Sequence, residues 1–215
     1  MAAEPALEVR DTRSAILDIA ERLVQRRGFN GFSYGDVAGE LGITRAALHY
    51  HFPGKAELGE ELIIRYAARF FAALAAIDRQ HTAAVGKLRA YTDLYLDTLR
   101  HGRMCLCGVL AAEHETLPGR MRHGVVSFFD DNQTWLAGVL ETGRAQGGLR
   151  FPGDPEDAAL MTIGALEGAM LVARIYGGTA RFETARDRLI ASFVASSSPI
   201  VPAPTAQDED AYQIV

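Results

Sequence analysis

The chain has 215 residues, 48% of them hydrophobic and 23% charged. These are the proportions of an ordinary globular protein, long enough for one compact domain or for a small domain joined to a larger one. No apolar run approaches a bilayer span, the N-terminus MAAEPALEVR carries no basic-then-apolar export signal, and two cysteines, Cys105 and Cys107, make no disulfide scaffold; a reducing cytoplasm is expected. Net charge is −5, but residues 1–55 carry seven basic against seven acidic groups and residues 56–215 fifteen against twenty, so a polyanion could be bound only by locally placed groups.

Ahead of residue 13 the chain reads as an N-terminal arm. Ile16, Ile19, Ala20, Leu23 and Val24 then form the apolar stripe of a helix of about sixteen residues, which Gly28 ends. After the turn GFNGF, Ser33 is placed to cap a short helix with Asp36 as its reciprocal partner three residues on; Val37, Ala38 and Leu41 face inward, and Gly42 stops it. Ile43 alone separates that glycine from Thr44, which caps another short helix from Arg45 to about His51 before Phe52-Pro53-Gly54 breaks it. A long fourth helix starts at Lys55, and breaks near His81, His101, Pro118, Gly147 to Pro155, and Gly177 divide the rest into about five more. No convincing strand pair is present, and Ser, Pro and acidic residues make 197–215 a flexible tail outside the core. The expectation is all-α with about nine helices: three in a helix-turn-helix unit over 13–55, the others in a larger domain over 56–196.

Two short helices across a tight turn suit a DNA reader whose second helix enters the major groove. Leu48 points inward, so Ala46 and Tyr50 point away, flanked by Arg45 and His49. Arg45 has the fork that pairs with guanine O6 and N7, and Ala46 and Ala47 allow contact with thymine methyls. Tyr50, His51 and Lys55 offer donors for phosphates, and Ser33 and Thr44 offer helix N-termini. The competing reading is that residues 29–55 are simply two small helices of an all-α protein.

The run GFNGFSYGDVAGELGITRAALHYHFPGKAEL resembles the signature region of the TetR family of bacterial repressors over about residues 13–60. The resemblance implies that Arg45, Ala46 and His49 face bases and that Ser33, Thr44, Tyr50 and Lys55 face the backbone; His49 stands where the family usually has Tyr. It also implies that the larger domain dimerises and encloses a pocket for an unidentified small-molecule effector, releasing a palindromic double-stranded operator, with no cofactor, no metal and no membrane partner.

Residues 158–175 are apolar nearly all round, and Gly164 and Gly168 leave a smooth strip for a second copy, with Leu171, Leu189 and Phe193 as further interface candidates. Candidate pocket residues are Tyr91, Tyr95, Met104, Cys107, His114, Phe128 and Trp135. Cys105 and Cys107 sit near a helix start where the dipole and Arg103 would lower a thiol pKa, so oxidation of either is an alternative trigger. A Cys107 enzyme with His114, Glu113 or Glu115 as base is a remote alternative. The competing reading, and the commoner state of a free cysteine, is that both are buried and inert.

Overall fold

The computed structural model describes residues 4–194, with side chains from residue 12 onward, and is all-α. Its first three helices are α1 (Glu4–Arg27), α2 (Tyr34–Leu41) and α3 (Arg45–His51). Residues 4–12 of the expected arm are part of α1, which is 24 residues long rather than about sixteen. Then come α4 (Lys55–Gln80), α5 (Ala84–Arg100), α6 (Leu106–Ala112), a 3-10 turn (His114–Thr116), α7 (Gly119–Ala145), α8 (Pro155–Ile175) and α9 (Ala180–Phe193). Nine α-helices among the described residues match the expected architecture. The one β contact is an isolated bridge between Leu149 and Val194. Residues 195–215, which include the expected tail, lie outside the described residues.

The local chemistry that marks the short helices in the sequence is what builds them. The Ser33 hydroxyl accepts from the Asp36 amide (3.3 Å), and the Asp36 carboxylate accepts from the Ser33 amide (2.7 Å), closing the capping box. These hydrogen bonds, with Arg27 nearby, hold the Asp36 carboxyl below its usual range. Gly42 ends α2 with φ 71°, and Thr44 caps α3 by accepting from the Ala47 amide (3.1 Å).

The core is continuous from α1 to α9. Ile16, Ala20, Leu23 and Val24 of α1 are buried with Val37, Ala38, Leu48 and Phe52, which fixes the helix-turn-helix as a rigid unit. Phe70 of α4, Tyr91 and Tyr95 of α5 and Phe128 of α7 form the aromatic centre of the larger part, with ring centroids 5.0 to 6.4 Å apart.

Helix α8 packs between α7 and α9. Contrary to the expectation that no segment is long and apolar enough to cross a membrane, α8 is, with a mean hydropathy of 1.5. It buries Ala159, Thr162, Ile163, Leu166, Met170 and Ala173 against the bundle, while Met161 (76% exposed), Leu171 and Ile175 (83% exposed) stay uncovered in the single chain.

Candidate DNA-contacting face and effector cavities

Leu48 locks α3 onto α2 and is fully buried, which turns the opposite face of α3 outward: Arg45, Ala46, His49 and Tyr50 are exposed, Tyr50 by 80%. Nothing apolar explains that exposure. Arg45 lies across Gly35 of α2, where a Cβ would come within 2.7 Å of its Nη2. His49 Nδ1 is 3.1 Å from the Pro53 carbonyl, which can only accept, so Nδ1 is the donor of that contact. Its ring leans on Tyr34 (4.8 Å between centroids), whose hydroxyl donates to the Phe52 carbonyl (3.0 Å). Ser33, Thr44 and Ala47 sit at the two helix starts beside this face.

Lys55 is used differently from the expectation of an outward ammonium. Its Nζ donates to the carbonyls of Phe29 (2.6 Å) and Phe32 (2.5 Å) and lies over both rings, leaving one N–H uncommitted. Burial lowers its pKa. The opposite side of the same turn is held by Glu113, which follows α6. Its carboxylate accepts from the Phe29 amide (2.6 Å) and from the backbone and side-chain amides of Asn30 (3.2 Å each). Gly28 is required here, because φ is +85° and a Cβ would stand 2.6 Å from Glu113 Oε1.

Two cavities flank the C-terminal half of α1. One, about 570 Å³, opens between α1, α4 and α5 and has Tyr66, Tyr95, Cys105 and Met170 among its lining residues. The other, about 550 Å³ and mostly apolar, is lined by Met104, Gly108, Phe129, Leu160, Gly164 and Glu167 together with Arg26 to Gly28. Of the expected pocket residues, Tyr95 lines the first cavity, Met104 the second, and Trp135 a smaller one of about 340 Å³, where its Nε1 donates to Asp78 (2.9 Å). Tyr91, Phe128 and Cys107 are core. His114 lines none of these cavities and sits on the exposed 3-10 turn beside Glu115 (3.5 Å).

The cysteines reverse the sequence expectation of a lowered pKa. Both are buried, and desolvation with the neighbouring Glu167 carboxylate pushes both thiols well above their usual range. Although Cys105 caps α6, accepting from the Gly108 amide (3.4 Å), burial outweighs the helix dipole. Glu167 was not anticipated, yet the sequence holds its signal: a lone carboxylate within the apolar run AALMTIGALEGAMLV. Burial raises its pKa to about 7. Tyr66, Glu21 and Gln25 were also missed, and Glu113 was named only as a base for the remote enzyme reading, since their roles depend on partners 39 to 84 positions away. At the α8–α9 face, Gly164, Gly168 and Leu171 are exposed and nothing stands within 4 Å of a Cβ built at either glycine. Leu189 is half-buried. Phe193 is not exposed for a partner: it is buried against Phe151 (5.6 Å).

Comparison with known proteins places these features in one family. Residues 16–62 match the family described as bacterial regulatory proteins, tetR family, and residues 84–189 match the tetracyclin repressor-like C-terminal domain. The crystal structure of a TetR-family transcriptional regulator from Agrobacterium tumefaciens is 31% identical, covers 87% of this chain and 100% of its own, and superposes with a TM-score of 0.84. A transcriptional regulator from Saccharomonospora viridis, solved in complex with choline, is 26% identical over 87% of this chain and 100% of its own, with a TM-score of 0.75. The HTH-type transcriptional regulator AcrR of Shigella flexneri is 39% identical over 62 residues. That match spans 29% of this chain and 29% of the relative, so under a third of the curated relative's length is shared.

Proposed function

The chain belongs to the TetR family of DNA-binding transcriptional regulators, and from that premise we propose that it is a homodimeric repressor that leaves a palindromic operator when a small molecule binds its helical domain. Residues 13–55 form the DNA-reading unit and 56–196 the effector-binding and dimerising part. The observation that carries this reading is the outward face of α3, where Arg45, Ala46, His49 and Tyr50 are exposed while Leu48 holds the helix in the core. Arg45 reads guanine, Ala46 and Ala47 meet thymine methyls, and His49 Nε2 accepts from a base amino group. Ser33, Thr44, Tyr50 and the remaining N–H of Lys55 hold phosphates.

A second head is required, because one seven-residue helix reads too few base pairs for a useful operator. The uncovered strip of α8 through Met161, Gly164, Gly168, Leu171 and Ile175, with Leu189 of α9 at its edge, supports a two-fold interface. A small-molecule effector is supported by cavities of ligand size beside α1 and by the choline-bound relative. The latch from Glu113 to Phe29 and Asn30 provides a route from the helical domain to the reader.

Selection from a random DNA pool with the full-length protein tests the reading. We expect recovery of an inverted repeat bound by two subunits. Recovery of a single half-site bound by one subunit, or no enrichment, overturns it.

A further inference from the structure

A further cavity, about 510 Å³, opens where the connection from α5 to α6 meets the connection from α8 to α9. Gly102 (φ 66°) and Gly177 (φ 70°) turn the chain after α5 and α8, and both line the cavity together with Arg100, Arg103, Arg174 and Thr179. No carboxylate is among its lining residues. A fourth guanidinium adjoins it, since Arg26 Nη2 stands 3.8 Å from where a Cβ at Gly102 would be. Arg26, Arg100 and Arg174 are exposed and Arg103 is partly exposed, so the site is open to solvent rather than sealed in the core.

Among the described residues these four arginines make one ion pair, Arg100 with Glu183 of α9 at 3.6 Å. Asp97 of α5 stands beside His101 (3.7 Å) and in no ion pair with Arg103. Arg174 donates to the Gln25 and Arg26 carbonyls at the end of α1, which occupies some of its N–H groups without neutralising its charge. Three cations without a counter-ion thus surround one cavity, in a chain whose net charge is −5. A concave site lined by one sign of charge concentrates ions of the other. The first turn of α9, which has no side-chain cap at Thr179, adds backbone donors to the same wall.

We infer that this cavity binds a small, multiply charged oxyanion, a phosphate ester or a polycarboxylate, held by Arg100, Arg103 and Arg174 against the turn over 177–179. Guanidinium forks meet such groups through paired N–H bonds, and two or more charges on the ligand answer the several cations. The consequence for DNA rests on the effector-gated reading, whereas the binding itself does not. Arg174 ties α8 to the last turn of α1, so an anion that draws its guanidinium away loosens the helix end that leads into the latched turn at Gly28. Differential affinity for the protein with this tie made and broken turns binding into release.

Titration calorimetry of the full-length protein at fixed ionic strength with fructose 1,6-bisphosphate, citrate, acetate and fructose tests the site. The bisphosphate or the citrate should bind at least about a hundredfold more tightly than acetate or fructose, and the tighter of the two tells a phosphate ester from a polycarboxylate. Arg103→Gln removes a side chain with no ion pair to lose and should weaken that binding by at least about tenfold at an unchanged melting temperature. Arg79→Gln, at an exposed arginine in the last turn of α4, should leave it unchanged. Binding of neither polyanion, affinity unchanged in Arg103→Gln, or equal weakening in Arg79→Gln overturns the proposal. So does an Arg103→Gln protein that holds its operator more weakly with no small anion present, which would make the cluster a contact to the DNA backbone. Recovery of an operator without polyanion binding sinks this site and keeps the repressor reading; Arg103-dependent binding of a polyanion without any operator does the reverse.

Discussion

At Glu167 the folded protein holds a carboxyl whose charge its surroundings oppose. Burial raises its pKa from 4.5 to about 7, against a smaller lowering from the Cys105 thiol. An unfolded chain releases that proton near 4.5 and the folded one near 7, so between these values the folded state binds more protons. Stability from this group is complete below about pH 4.5 and is lost as pH rises to about 7, to a total of roughly 3 kcal/mol. Asp36 and Asp78, whose pKa values are lowered, contribute with the opposite slope, so the comparison must be made against Glu167→Gln. In urea unfolding at fixed protein concentration, the variant should match the native protein at pH 5 and exceed it at pH 8; parallel curves would refute the assignment. Arg45 carries the second prediction at this scale. Arg45→Ala should cost about 1–3 kcal/mol at one base-pair position and relax preference there; equal weakening on every sequence would make it a phosphate contact. The outward set on α3 was legible because a seven-residue helix has one inward leucine and its opposite face follows from 100° per residue. Lys55 was not, because the carbonyls that hold it, at Phe29 and Phe32, belong to a turn whose path the sequence does not specify.

The boundaries of the reader's two short helices, α2 and α3, follow from local chemistry, and so they were readable, unlike the start of α1: Ser33 with Asp36, Gly42, and Thr44 all act within four residues. The connection of the reader to the helical domain is of another kind. Glu113 belongs to the end of α6, 84 positions from Phe29, and its function depends on Gly28 having no Cβ to exclude it. Arg174 of α8 adds a second tie by donating to the Arg26 carbonyl, and the Met104 amide donates to the Gln25 carbonyl (3.2 Å). Removing the carboxylate in Glu113→Ala orphans the Phe29 and Asn30 amides and leaves Lys55 beside them. Hydrogen bonds to a charged group are worth about 1.5–3 kcal/mol, which predicts amide exchange at Phe29 and Asn30 faster by about ten- to a hundredfold. The amides of α2, held by the Ser33–Asp36 box, should keep their protection. Unchanged exchange at Phe29 would show that Lys55 and the packing of the phenyl rings hold the turn without the carboxylate.

For the whole molecule the question is what covers α8. Its sequence is apolar nearly all round, which announces burial on more than one side, but periodicity does not say which side faces the same chain. The bundle takes the face with Ile163, Leu166 and Met170, and the face with Met161, Gly168 and Ile175 remains open. Phe193 was assigned to the wrong side for the same reason: on α9 it turns inward to Phe151, a residue in the loop before α8 that no helical pattern links to it. If a second copy covers the open face, a carboxylate placed there must be buried without a partner on association, at a cost of several kcal/mol, while the isolated chain pays little at so exposed a position. Met161→Glu should therefore leave helical content and melting of the single chain nearly unchanged and convert a dimer to a monomer in light scattering at micromolar concentration. Operator affinity should fall with it by more than about tenfold, each 1.4 kcal/mol of lost coupling between the two heads being one power of ten. A Met161→Glu protein that stays dimeric on an intact operator would move the two-fold axis off α8 and leave that face to another partner.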